Sequence, residues 1–147
     1  MITIHIIPGP PAVGKSTAFR NLGVPVISPD AHVYNESGVY EWTPDRAKAA
    51  WEAAYAEVAA LADGAEVGFD ATLVDPHTRR GFIARVREYH GDNVRFVAMN
   101  LVDPGVDELI RRNAERSEDR RVPDQVITYM RDRWVPPTES EGIFVIP

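Results

Sequence analysis

Segment 9–17 constrains this chain more than any other part of its sequence. It reads GPPAVGKST and matches the pattern G-x-x-x-x-G-K-[ST] at every fixed position. In this pattern the backbone N–H groups of a glycine-rich turn surround the phosphates of a nucleotide. An isoleucine-rich run precedes the segment and a helical pattern follows it, which is the context that the motif requires. The sequence therefore predicts a phosphate-binding loop between a first strand and a first helix.

Two side chains of this loop have predicted roles. Lys15 reaches the outer phosphates, and the hydroxyl group of Ser16 is placed to hold Mg²⁺. The helix that opens at Gly14 adds the positive end of its dipole to the same site. The alternative interpretation is an ordinary strand-to-helix turn with a surface lysine. The residues predicted to bind the nucleotide, which is ATP or GTP, are Gly9, Pro11, Ala12, Val13, Gly14, Lys15, Ser16 and Thr17.

The rest of the chain alternates strand and helix patterns. Strands are predicted over residues 1–7, 24–28, 66–71, 93–101 and 142–147, and helices over 14–22, 43–63, 75–90, 103–116 and 123–134. Such alternation predicts an α/β fold in three layers, with about five parallel strands and helices on both faces. With the phosphate loop after the first strand, this is the P-loop NTPase fold. Residues 31–42 have no clear period and are predicted to form a loop or a short helical turn.

Two aspartates follow predicted strands. Asp30 comes directly after the second strand, and Asp70 comes at the end of the third. In open α/β sheets, ligands bind at the carboxyl ends of the strands. Asp30 can therefore orient an attacking hydroxyl group and accept its proton, while Asp70 can bind Mg²⁺ or contact the acceptor. The alternative for both is a carboxylate that caps a helix or a turn.

A basic segment covers residues 111–121, with five arginines and three acidic residues. Arg112 and Arg116 are four residues apart and share a helical face. Phosphoryl transfer requires positive charge at the transferred group, ideally from an element that closes over the nucleotide. An arginine-rich lid at about 111–122 fits this need, and the alternative is a solvated face with internal ion pairs.

The third helix and the segment before the second helix add further candidates. Arg80 lies near the start of the third helix, where it can approach an acceptor phosphate, whereas Arg79 is expected to be solvated. Four side chains of segment 31–42 could face a substrate. The favoured interpretation is that the aromatic side chains among them cover the edge of the core. The four are His32, Tyr34, Tyr40 and Trp42.

Composition limits the classes of function. With 147 residues, the chain is expected to form one domain with a sizeable core, and the absence of cysteine excludes disulfides and thiolate metal sites. The net charge of −6 argues against extended contact with long duplex nucleic acid. No apolar run approaches the length of a membrane span, and a cleaved targeting peptide would remove the phosphate loop. The protein is therefore expected to be cytoplasmic and to have no membrane partner.

Four stretches in the same order resemble the P-loop kinases of the polynucleotide kinase type, within the AAA-type P-loop kinases. They are GPPAVGKST, ISPD after the second strand, FDAT after the third, and LIRRNAERSEDRRVPDQVITYM near the end. The resemblance is strongest to the small phage 5′-hydroxyl kinase domain, and it covers nearly the whole chain. The last stretch, with R-x-x-x-R before a V-P-x-x-V-I helix, is distinctive of this group.

The resemblance implies a role for each matching residue. Lys15 and Ser16 would hold the donor phosphates and Mg²⁺, and Asp30 would be the general base. Asp70 would lie near the acceptor, and Arg116, with Arg112 beside it, would contact the donor phosphates from the lid. The family often has an arginine three positions after the base, but this chain has Val33 there.

These observations predict a kinase that depends on ATP and Mg²⁺ and phosphorylates the 5′-hydroxyl group of a nucleic-acid end. The first alternative is a small acceptor: a nucleoside, nucleotide, modified base, sugar or antibiotic. The second is a binding module that is switched by a nucleotide and phosphorylates nothing. No base-reading motif separates ATP from GTP as the donor.

Overall fold

The computed structural model describes residues 1–146, which form a five-stranded, parallel sheet with the order β2-β3-β1-β4-β5. The strands are β1 (Ile2–Ile6), β2 (Val26–Ile27), β3 (Glu66–Phe69), β4 (Val94–Met99) and β5 (Ile143–Ile146). The α-helices are α1 (Lys15–Leu22), α2 (Pro44–Ala59), α3 (Pro76–His90), α4 (Val106–Ala114) and α5 (Asp124–Arg133). This confirms the predicted α/β architecture. Within residues 1–146, no helix is both long enough and apolar enough to cross a membrane.

Strand β1 occupies the centre of the sheet. It pairs with β3 on one side and with β4 on the other, so that Ile4 lies beside both Val67 and Phe96. Its isoleucines are almost completely buried because helices cover the sheet where they point. Since parallel strands all end at the same edge, the loop that follows β1 begins in the middle of that edge.

Neighbouring residues of β3 show that helices cover both faces of the sheet. The ring of Phe69 lies 5.6 Å from that of Trp51 in α2 and 4.6 Å from that of Phe82 in α3, measured between centroids. Gly68 points the opposite way, where a Cβ atom would lie 2.6 Å from the ring of Phe19 in α1. Successive strand residues face opposite sides, so α2 and α3 cover one face and α1 covers the other.

A second, smaller apolar cluster joins α4 and α5 to the phosphate loop. Its buried members are Val13 of the loop, Leu109 of α4 and Ile127 of α5. Partly buried side chains, including that of Trp134, complete it. The position of α4 and α5 is therefore tied directly to the loop rather than to the main core.

The pairs Thr43-Pro44 and Asp75-Pro76 predict helix starts with a capping side chain followed by proline, and α2 and α3 confirm both. The side chain of Thr43 accepts the N–H group of Arg46 at 3.1 Å, and that of Asp75 accepts the N–H group of Thr78 at 2.8 Å. The predicted end of the second helix at residue 63 was wrong, because α2 ends at Ala59. After this residue the chain forms turns, in which the N–H groups of Leu61 and Ala65 donate to carbonyl groups three residues back.

The predicted start of α4 at residue 103 was also wrong. The carboxylate of Asp103 accepts the N–H group of Gly105 at 2.9 Å and forms an ion pair with Arg131, so it makes a turn rather than a helix cap. Gly105 has φ 94° and precedes the first helical residue, Val106. The strands are shorter than predicted, and the last residue of the predicted fifth strand lies outside the described residues.

The expectation that Arg79 is solvated was wrong. Its side chain is fully buried, with Nε 2.8 Å from a carboxylate oxygen of Glu141 and Nη1 donating to the carbonyl group of Leu73 at 2.9 Å. The pair joins α3 to the segment before β5. A buried arginine requires such a partner, because an unpaired charge in the core is strongly destabilising.

We expect opposite effects on stability from alanine at two glycines. Gly68→Ala should lower the free energy of unfolding by about 1–3 kcal/mol, because the new methyl group meets the buried ring of Phe19. Gly81→Ala is the control: no atom lies within 4 Å of a Cβ there, in an exposed part of α3, so stability should rise by about 0.5–1 kcal/mol. Urea denaturation measures both, and shifts of the same sign would contradict the packing of α1.

Candidate functional site

The phosphate loop follows a path that requires glycine at two positions. The N–H group of Gly9 donates to the carbonyl group of Thr72 at 2.9 Å, and a Cβ atom at this glycine would lie 2.9 Å from the side chain of Val13. Gly14 has φ 111°, and Ala12 is also left-handed with φ 70°. Backbone reversals of this kind turn successive N–H groups toward one side, where they form an anion-binding concavity.

The start of α1 completes this concavity. Gly14 precedes the helix and provides no side-chain cap, and the first turn contains no acidic residue. The first N–H groups of α1 are therefore left for water or a ligand, at the positive end of the helix dipole. Ser16 and Thr17 are exposed at this end.

The side chain of Lys15 folds back onto the backbone of the phosphate loop. Its ammonium group donates to the carbonyl groups of Gly9, at 2.8 Å, and Pro10, at 3.2 Å. Burial lowers the pKa of Lys15 to about 8; the carboxylate of Asp70 opposes this shift, and the guanidinium group of Arg116 adds to it. An anion that entered the loop would favour the charged ammonium group and reverse the shift.

Two carboxylates lie at the same edge of the sheet. Asp70 follows β3; burial raises the pKa of Asp70, and the charge of Lys15 opposes the increase. Asp30 follows β2 in a short 3-10 helix, Pro29–His32, and its side chain is 54% exposed. The carboxylate of Asp30 also favours the charged form of the Lys15 ammonium group and so raises the pKa of Lys15. The structure thus brings together Lys15, Asp30 and Asp70, as predicted from their places after three strands.

The donor set beside the loop fits a magnesium ion. Ser16 and Asp70 line one cavity of about 410 Å³, on the side of the sheet covered by α1. Mg²⁺ in nucleotide sites takes one or two protein oxygens and completes its shell with water and phosphate. Within residues 1–146, no cluster of three or more histidine, aspartate or glutamate side chains could hold a metal without such additional ligands.

The arginines of the basic segment divide into two groups. Arg111 points outward and pairs with Glu108 and Glu115, as the alternative of a solvated face predicts. Arg112 also pairs with Glu108, but its Nη1 atom lies 3.4 Å from the carbonyl oxygen of Val13 in the loop. The solvated interpretation therefore holds only for the outer part of this segment.

Arg116 combines a buried nitrogen with a position in the electrostatic field of the two carboxylates. Its Nη1 atom is buried and has no hydrogen-bond partner within residues 1–146. Burial lowers the pKa of Arg116 and Arg120 adds to this, while the carboxylate of Asp30 opposes it. A buried donor without a partner is unfavourable, and an anion bound at this position would satisfy it.

Sequence reasoning missed Asn113, which fixes the segment that carries these arginines. Its side-chain amide is buried, donates to the carbonyl group of Val122 at 2.7 Å and accepts the N–H group of the same residue at 3.2 Å. The two bonds close the chain between α4 and α5 into a loop. The buried position of an asparagine among arginines has no signal in the local pattern.

Arg120 was also missed. It lies 3.9 Å from the carboxylate of Asp30, to which the hydroxyl group of Tyr40 also donates at 3.4 Å. Its interval of four residues from Arg116 was the available signal. The favoured interpretation of the aromatic residues was wrong for Tyr34 and Trp42, whose side chains are exposed instead of covering the core.

Arg80 lies in a different groove. This cavity of about 670 Å³ is formed by α3 and residues 135–141, and Val135 and Glu141 line it with Arg80. In the part of the chain that is described, no hydrogen bond or ion pair connects Arg80 to Lys15, Asp30 or Asp70. Its contact with an acceptor phosphate stays a prediction.

The sheet order, the loop after β1 and the uncapped start of α1 together define a nucleotide-binding P-loop fold. Residues 4–137 match the family model AAA_33, which is described as an AAA domain. The chain belongs to this family. No curated protein matches the sequence.

Three solved structures illustrate the likeness. A putative kinase from Chloroflexus aurantiacus J-10-fl is 18% identical with a TM-score of 0.70, over 98% of this chain and 84% of that one. A chain of the Pnkp1/Rnl/Hen1 RNA repair complex is 22% identical with a TM-score of 0.73, over 89% of this chain and 43% of that one. A gluconokinase from Sinorhizobium meliloti 1021 is 17% identical with a TM-score of 0.59, over 98% of this chain and 81% of that one. At these identities, the likeness shows the fold.

The lowered pKa of Lys15 predicts how nucleotide binding depends on pH. The dissociation constant of ATP, measured by calorimetry at fixed free Mg²⁺, should change little from pH 7 to 8. Above pH 8 it should rise by about tenfold per unit, because the free protein then loses the one proton that the phosphates require. Lys15→Arg is the control, since arginine keeps its charge and should bind with a flat profile. An equal rise in both proteins would contradict the role of Lys15.

Proposed function

We propose that this protein is a kinase that transfers the γ-phosphoryl group of a nucleoside triphosphate to an acceptor hydroxyl group. The observation that carries the proposal is the buried Nη1 atom of the half-buried Arg116 side chain. This atom has no partner within residues 1–146, and the guanidinium group lies in the field of Asp30 and Asp70 and affects the charge of Lys15. Cations and carboxylates at one edge of a P-loop sheet provide the groups that phosphoryl transfer requires.

The loop and the arginines would hold the donor. Backbone N–H groups of residues 12–16 and the ammonium group of Lys15 bind the outer phosphates. Arg112 approaches them from the last turn of α4, and Arg116 approaches them from the segment after this helix. Charge spreads over the transferred group in the transition state, and donors fixed in advance stabilise it. Ser16 and Asp70 are the residues that would hold Mg²⁺, which neutralises charge on the phosphate oxygens when bound.

Asp30 would act on the acceptor. Its exposed carboxylate accepts the proton of the acceptor hydroxyl group as the oxygen forms a bond to the γ-phosphorus atom. The bond from that phosphorus to the bridging oxygen breaks, and the nucleoside diphosphate leaves with the electron pair. A base that faces the solvent suits this task, because the acceptor must reach it from outside.

The acceptor we favour is the 5′-hydroxyl group of a nucleic-acid end, as the resemblance to polynucleotide kinases implies. The fold shared with a chain of an RNA repair complex supports it. Arg80 would then contact the acceptor strand beyond its first residue. Two features favour a small acceptor instead, namely the net charge of −6 and Val33 at the place of the expected arginine. The fold shared with a gluconokinase supports this alternative.

The test incubates the protein with Mg²⁺ and γ-labelled ATP and offers a 5′-hydroxyl oligonucleotide, a nucleoside mixture and a nucleotide mixture in parallel. We expect label on the oligonucleotide. Label on monomers alone would contradict this acceptor class but leave the kinase in place. Nucleotide binding without label on any acceptor would contradict the kinase and favour a nucleotide-switched module.

The role of Asp30 has its own prediction. Asp30→Asn should reduce transfer by about 10²- to 10⁴-fold, because the amide cannot accept the proton, while the dissociation constant of ATP stays within about twofold. Asp92→Asn is the matched control, since this exposed aspartate lies in the turn before β4, at the other end of the sheet. Transfer by Asp30→Asn at the rate of the control would contradict the assignment of the base.

A further inference from the structure

Arg120 makes three contacts that have no part in holding the donor. It lies in a short 3-10 helix, Glu118–Arg120, and its Nη1 atom donates to the hydroxyl group of Tyr34 at 3.3 Å. Its guanidinium carbon lies 4.8 Å from the centre of the ring of Tyr40, and its Nη2 atom lies 3.9 Å from a carboxylate oxygen of Asp30. One side chain thus joins the arginine-rich segment to the opposite side of the cleft.

The tyrosines belong to a small hairpin, residues 33–41, that is closed by its own hydrogen bonds. The N–H group of Asn35 donates to the carbonyl group of Val39 at 2.8 Å, and that of Glu41 donates to Val33 at 2.9 Å. The two tyrosine rings meet edge to face with centroids 5.6 Å apart. This hairpin begins three residues after Asp30, so its position determines what borders the exposed carboxylate.

The contacts of Arg120 contribute little to the stability of the fold. The side chains of Arg120 and Asp30 are 31% and 54% exposed, and Tyr34 is exposed as well. Ion pairs and cation–π contacts at such exposure are screened by water and add little to the stability of a fold. Three contacts from one arginine, to Asp30 and to the two tyrosines near it, are better explained by a need to orient the carboxylate of Asp30.

We propose that Arg120, Tyr34 and Tyr40 form the acceptor wall of the cleft, and that Arg120 is a positioning residue for Asp30; this rests on the kinase function proposed above. The ion contact from Arg120 and the hydrogen bond from Tyr40 hold the carboxylate in one orientation. The bond to Tyr34 fixes the hairpin against the arginine-rich segment. Without Arg120, the acceptor hydroxyl group and its base would meet in the reactive geometry less often.

The experiment compares acceptor kinetics with donor binding. In Arg120→Ala we expect kcat/KM for the 5′-hydroxyl oligonucleotide, or for the monomer mixture that the parent labels, to fall by about tenfold or more. The dissociation constant of ATP should stay within about twofold, and the midpoint of thermal unfolding should not change. Arg133→Ala is the matched control, since this arginine lies 4.3 Å from the ring of Tyr129 in a similar exposed contact.

A double-mutant cycle tests whether the wall acts as one unit. Tyr34→Phe should reduce acceptor kcat/KM in the parent and have no further effect in Arg120→Ala, because its hydroxyl group acts only through Arg120. Independent effects of the two substitutions would overturn the proposal. So would Arg120→Ala kinetics equal to those of the parent, or a loss confined to ATP binding, which would make Arg120 a donor contact. These three results leave the kinase intact, whereas a parent that labels no acceptor ends both proposals.

Discussion

Burial disfavours the charged form of an ammonium group. The loop after the central strand nevertheless holds the ammonium group of Lys15 in place. The carbonyl groups of Gly9 and Pro10 accept its hydrogen bonds, and these carbonyls are within reach because Gly9 has no side chain to hold the loop away. The carboxylates of Asp70 and Asp30 add opposite charge. Both come from strands that end at the same edge, so the order of the sheet determines the electrostatics of the cleft.

Packing couples this edge to the arginine-rich segment. The main core lies between the sheet and the two helices α2 and α3, where it fixes the strands. The smaller cluster instead includes Val13 of the loop together with Leu109 and Ile127. Because Arg112 also reaches the carbonyl group of Val13, a shift of α4 acts on the phosphate loop through both packing and hydrogen bonding. Arginines on such a segment can respond to what the loop holds.

The accuracy of the sequence predictions depends on how far apart the interacting residues lie. The phosphate loop and the caps at Thr43 and Asp75 are local, since each pattern and its effect lie within a few residues. The same Asp-Pro signature failed at Asp103, because a nearby glycine and a distant arginine engage that carboxylate instead. Burial of Arg79 could not be predicted, since its partner Glu141 lies 62 residues away and no periodicity connects the two. The contacts of Arg120 with Asp30 and Tyr34 are of this second kind, whereas the place of Asp30 and Asp70 at the edge of the sheet followed from the strands before them.

The acidic net charge and the cationic cleft are compatible because charge acts over short distances. Several arginines in the second half of the chain form ion pairs with carboxylates close in space, as Arg111 does with Glu108 and Arg131 with Asp103. Arg116 points inward with an unpartnered nitrogen among residues 1–146. Screening limits the field of exposed charges to about 8 Å at physiological ionic strength, so a phosphate within the cleft responds mainly to the cations beside it. A long polyanion would instead experience the net charge of −6 along its length, so this charge opposes extended contact and leaves the local cations of the cleft unaffected.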